Sequence, residues 1–85
     1  MIIYFDKSSA YWNSDNKANE WFLDHQTDHI RDIVKHRGYV YLNQIHELLG
    51  VKWDTRCENL LIEDPGFTVN IGWDCNKKRW MIGIN

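Results

Sequence analysis

His25, His29, Asp32 and His36 recur at i, i+4, i+7 and i+11, a spacing that stacks side chains along one side of an α-helix. Two histidines one turn apart with a nearby carboxylate form a ligand set for a metal ion such as zinc. The run His25-Gln26-Thr27-Asp28-His29 lacks the glutamate that follows the first histidine in the zinc protease motif. His25, His29 and Asp32 are therefore a candidate ion site with a plainer alternative, a polar border between core and solvent. Nothing else in the chain calls for a cofactor.

A second pattern overlaps the first. Glu20, Asp24, Asp28 and Asp32 form a ladder of like charge at i+4 steps, and each such pair costs an isolated helix a few tenths of a kcal/mol. Arg31 and Lys35 stand where they can pair with Asp28 and Asp32. Glu20 and Asp24 lie toward the helix start, where negative charge is favoured. A carboxylate ladder is either a solvated face or an acidic docking surface for a basic protein, acting chiefly on association rate and selectivity. Trp21 projects beside the ladder and not into the apolar arc. It is either an interface anchor or a ring covered by Tyr11, Trp12 or the first strand.

The third pattern is basic. Lys77, Lys78 and Arg79 are consecutive in a loop between two strand-like runs, a position from which cations grip phosphates. Arg56 and Asn59 are side chains able to read bases, but Glu58 and Glu63 beside them repel a nucleic-acid backbone. Catalysis is not expected. The acids fall on exposed surfaces, Ser8, Ser9 and Ser14 sit in a polar stretch without a nucleophile elbow, and there is no glycine-rich phosphate loop. Cys57 and Cys75 are too far apart for a metal knuckle or redox pair and read as reduced thiols.

These residues need elements to hold them. Ile2 to Phe5 is a short apolar strand, and residues 6–15 form a polar loop. From Asn16 to Arg37 the period is helical, with Phe22, Leu23, Ile30, Ile33 and Val34 on one arc. Gly38 stops that helix, and Lys35, His36 and Arg37 suit its negative end. Tyr39 to Leu42 reads as a short strand. Asn43 is expected to cap a helix from Gln44 to Leu49 that ends at Gly50. Thr55 to Glu58 matches a capping box, predicting a third helix with Cys57, Leu60 and Leu61 on one face. The alternative makes residues 59–62 a strand of a small antiparallel sheet. Phe67, Val69, Ile71 and Trp73, then Trp80, Ile82 and Ile84, alternate with polar or small residues as in a hairpin.

The expected fold is a single α+β domain over residues 1–85, winged-helix-like. It comprises an N-terminal strand and loop (1–15), a long helix (16–37), a strand with a helix-turn-helix-like unit (39–62) and a β-hairpin (67–84). His46 stands where a helix-turn-helix usually has a small residue. Five Trp, four Tyr and three Phe supply core bulk that a chain of 85 residues needs. Net charge is −2, so the chain as a whole carries no electrostatic footprint for nucleic acid. No apolar run is long enough to span a bilayer and no signal peptide is evident, so the expected compartment is cytoplasmic.

The run Arg37-Gly38-Tyr39-Val40-Tyr41-Leu42-Asn43, followed by Glu47-Leu48-Leu49-Gly50, resembles a group of small proteins from phages and prophages of Gram-positive bacteria. In that group a helix leads into an R-G-Y-V-x-L-N motif and then a leucine-glycine helix end. The likeness covers about Asn19 to Val51. It implies a mobile-element origin and a partner in host machinery, with inhibition of a host defence nuclease, as by anti-CRISPR proteins, as one such role. It transfers no catalytic or binding residue. The alternative expectation is a winged-helix nucleic-acid-binding regulator.

Overall fold

A computed structural model of the chain describes residues 1–52, 60–63 and 66–85. The element order is β1 (Ile2–Phe5), α1 (Asn16–Arg37), β2 (Tyr39–Tyr41), α2 (Leu42–Leu49), β3 (Leu61–Glu63), β4 (Val69–Asp74) and β5 (Arg79–Ile84). The α+β class is as expected. β5 lies at the centre of a three-stranded antiparallel sheet between β1 and β4, and β2 pairs with β3 in a second, two-stranded sheet. Leu61 and Ile62 are therefore in a strand, opposite Tyr41 and Val40, and not at the end of a third helix. The rest of that expected helix, with Arg56, Cys57 and Asn59, lies outside the described residues. The winged-helix likeness stays loose, because the hairpin takes β1 as its third strand and leaves β2 to β3.

Helix α1 begins where Asp15 accepts a hydrogen bond from the Lys17 amide at 3.0 Å, satisfying one of the free donors of the first turn. It ends at Gly38, whose φ of 83° is left-handed and whose amide bonds the Val34 carbonyl. The second helix starts two residues earlier than its sequence suggests. Asn43 lies inside α2, and the Tyr41 amide is capped instead by the Gln44 side chain at 3.1 Å. Gly50 closes α2 with a φ of 68°.

One core joins the elements. Leu23, Ile30 and Val34 of α1 meet Ile3 and Phe5 of β1, Val69 of β4, Trp80, Ile82 and Ile84 of β5, and Val40, Leu42, Ile45 and Leu49 of the β2–α2 unit. Each fully buried aliphatic side chain there contributes about 1.5–3 kcal/mol relative to exposure. Alternation in β5 places Trp80, Ile82 and Ile84 inward, which turns Arg79, Met81 and Gly83 to the outer face. Among the described residues no helix is long and apolar enough to cross a membrane.

Candidate functional site

The buried stripe of α1 is Asn19, Leu23, Thr27, Ile30 and Val34. At 100° per residue, Trp21 projects about 160° away from Leu23, toward solvent. It is 63% exposed. Tyr11 and Trp12, the rings expected to cover it, are used elsewhere. Tyr11 packs on Phe22 with ring centroids 5.3 Å apart, and Trp12 packs on Phe5 at 5.6 Å. The Trp21 ring instead leans one turn along the helix onto His25, 4.1 Å between centroids.

Glu20, Asp24, Asp28 and Asp32 are all exposed on the same side of the helix. Lys17, Glu20, Trp21 and Asp24 line a shallow open cleft of about 320 Å³. Lys17 had no part in the sequence argument, although its place one turn before Trp21 was legible. Asp28 does pair with Arg31, at 2.7 Å, and the other end of that guanidinium donates to the Val69 carbonyl at 2.8 Å, tying α1 to β4. The expected Asp32–Lys35 pair is not among the ion pairs of the described residues. The acid that serves the helix start is Asp15; Glu20 and Asp24 lie beyond the first turn, where the helix dipole has faded. Among the described residues Glu20, Asp24 and Asp32 form no ion pair, and Glu20 and Asp24 line the cleft beside the exposed indole.

His25, His29, Asp32 and His36 are exposed as well. His25 is stacked on Trp21, and His36 Nδ1 lies 2.8 Å from the backbone carbonyl of Asp32. Among the described residues no three His, Cys, Asp or Glu side chains converge to hold an ion. The spacing puts the histidines on one helix face, but the rings of His25 and His36 turn to separate neighbours.

The basic run divides. Arg79 is not at the loop tip with its neighbours. Its guanidinium stacks 3.7 Å over the Tyr4 ring on the outer face of the sheet, and its Nε faces Asp74 Oδ2 at 3.5 Å. Lys77 and Lys78 occupy the turn between β4 and β5, and Lys78 adopts a φ of 52°, uncommon for a residue with a Cβ. Lys7 joins them from the other end of the chain. Asp6, Lys7, Ser8, Lys77 and Lys78 line an open cleft of about 410 Å³. Among the described residues the nearby carboxylates form no ion pair with these lysines. Asp6 accepts from the Ser8 hydroxyl at 2.6 Å and from its amide at 2.9 Å. These bonds, with help from Arg79, hold the Asp6 carboxyl below its ordinary pKa. Asp74 Oδ1 accepts from the amides of Asn76 and Lys77. Sequence reasoning missed Lys7 because its nearness to Lys77 and Lys78 follows from the pairing of Phe5 with Trp80. Comparison with protein-family models, with curated proteins and with solved structures finds no match.

Proposed function

We propose that this chain is a non-catalytic binding module that engages a basic surface of a protein partner through the acidic face of α1, with Trp21 as the anchor. The observation that carries the reading is an indole 63% exposed beside Glu20 and Asp24, which form no ion pair among the described residues, on a helix whose opposite side is committed to the core. Burying a rigid aromatic ring inside a ring of steering charges is how binding energy and selectivity are commonly combined. The phage-type resemblance of residues 19–51 gives the partner a class, a host protein such as a nucleic-acid enzyme, with inhibition as the consequence. Capture from a Gram-positive host lysate, with eluted proteins identified by mass, tests this. Wild type should retain a partner that is lost with Trp21→Ala and with Glu20→Lys/Asp24→Lys; equal capture by all three proteins overturns the reading.

A second reading is favoured by one observation, the meeting of Lys7 with Lys77 and Lys78, which form no ion pair among the described residues. In it the lysine cleft holds a nucleic-acid backbone. Binding of labelled DNA should then weaken with salt, and Lys7→Glu/Lys77→Glu/Lys78→Glu should reduce both affinity and salt slope. Absence of binding at low salt removes this reading.

A further inference from the structure

We infer that β1 is an open sheet edge built to pair with β1 of a second copy of this chain, antiparallel and centred on Ile3. The phase of the β1 ladder is fixed by its first pair. Ile84 N–H donates to the Met1 carbonyl at 2.8 Å, and Met1 N donates to the Ile84 carbonyl at 3.1 Å. Antiparallel partners alternate between bonded and non-bonded pairs. Ile3 and Phe5 therefore turn their backbone groups toward β5, and Ile2 and Tyr4 turn theirs away from the sheet. The next outward group agrees with this phase: the Asp6 amide bonds Ser9 Oγ at 3.2 Å, outside the ladder.

The two edges of the sheet are treated differently. On β4 the outward carbonyl of Val69 is occupied by Arg31. On β1 no hydrogen bond to the outward backbone groups of Ile2 and Tyr4 is found among the described residues. Ile2 is 56% exposed and Tyr4 40% exposed. Edge strands are usually guarded by lysine, proline, a bulge or an inward charge, and Ile2-Ile3-Tyr4-Phe5 has none of these. Its one guard is shortness.

The edge is complementary to itself in one register. Residues directly opposite must share a face, and the open backbone groups are those of Ile2 and Tyr4. Placing Ile2 against Tyr4 of the other copy, and Ile3 against Ile3, satisfies every open donor and acceptor from Ile2 to Tyr4 on both strands. A shift by one residue sets inner side chains against outer ones. A shift by two either sets the Ile2 groups against the Asp6 amide already taken by Ser9, or sets Ile2 against Ile2 and parts it from Tyr4. The chosen register also puts an aliphatic side chain beside an aromatic one on the outer face, a favourable cross-strand pair. The exposed side chains of Ile2 and Tyr4 then continue across the two-fold axis on the outer face. Four residues span only about 13 Å and bury far less than the roughly 800 Å² per partner of a standard interface. The pair should accordingly be weak and concentration-dependent. This inference is independent of the acidic face of α1.

Sedimentation of the full chain between about 10 μM and about 1 mM tests it. Wild type should rise from the mass of the 10.2 kDa chain toward twice that value. Tyr4→Pro removes an outward N–H at an edge position where proline is tolerated, and should stay monomeric throughout while keeping its circular dichroism. Should Tyr4→Pro fail to fold, Ile2→Lys replaces it, placing a charge on the edge without touching the β5 bonds. In a mixed isotope-labelled sample, wild type should show an intermolecular contact between the two Ile3 residues. A wild-type monomer at the highest concentration, a dimer undiminished in a folded variant, or a dimer lacking the Ile3 contact overturns the inference.

Discussion

Two glycines end two helices, and they are not equivalent. Gly38 and Gly50 both have positive φ, 83° and 68°, so any Cβ at either is strained by about 1–2 kcal/mol. Around Gly38 a Cβ would meet nothing within 4 Å. At Gly50 it would lie 2.6 Å from Tyr11 Cδ2 and 3.2 Å from Ala10 Cβ, where the Ala10 amide bonds the Gly50 carbonyl. Gly38→Ala should cost about 1 kcal/mol and Gly50→Ala at least about 2. Tyr11→Ala in the Gly50→Ala background should recover part of the excess, read as a coupling energy by chemical denaturation. Both stops were legible from periodicity and the basic last turn of α1. The crowding at Gly50 was not, since Tyr11 reaches it only through the fold. Asp6 offers a second residue-scale prediction. Its carboxyl is depressed mainly by the Ser8 hydroxyl and then by the Ser8 amide. Its stabilisation is therefore present above the unfolded-state pKa and is lost as pH falls through the lower folded-state value. Ser8→Ala should move the Asp6 titration back up toward the ordinary carboxylate value, as followed by NMR.

The buried stripe of α1 is not purely apolar. Its apolar arc placed Leu23, Ile30 and Val34 correctly in the core, but Asn19 and Thr27 share the buried stripe. Periodicity of apolar residues cannot see a buried polar side chain whose partners come from a loop. Asn19 Oδ1 accepts from the Asn13 amide and its Nδ2 donates to the Asn13 carbonyl, both at 2.8 Å, so one amide side chain pins the loop before α1. Asn16 carries that anchorage to the sheet by accepting from Trp80 Nε1 at 2.9 Å. Asn19→Ala would orphan groups on Asn13 and should cost about 1–3 kcal/mol. Hydrogen exchange should show the loss first in the segment from Asn13 to Asn16. The strand at Leu61 teaches the complementary lesson. A short apolar run fits either a helix or a strand, and what decides between them here is β2, some twenty residues upstream in the chain and invisible to local pattern.

The whole molecule is electrically divided in a way its net charge of −2 conceals. Exposed carboxylates run along α1, while Lys7, Lys77 and Lys78 gather at the turn between β4 and β5. The acidic ladder was legible because helix spacing is local. The lysine group was not, because it forms only when β1 is laid against β5. Three like charges drawn together, with Asp6 the one acid lining their cleft among the described residues, oppose folding, and Lys78 adds backbone strain at a φ of 52°. Lys78→Gly should therefore stabilise the protein, by about 1 kcal/mol from relief of the left-handed conformation less a few tenths for glycine entropy. Loss of one charge adds to the gain at low ionic strength. Added salt screens the remaining repulsion, so melting temperature should climb with salt more steeply in wild type than in Lys78→Gly. Lys78→Asn separates the two contributions, because asparagine removes the charge while tolerating the left-handed backbone better than lysine. If lysine at this position were neutral to stability, all three proteins would melt together at low salt, and the convergence of Lys7, Lys77 and Lys78 would carry no energetic cost for a ligand to relieve.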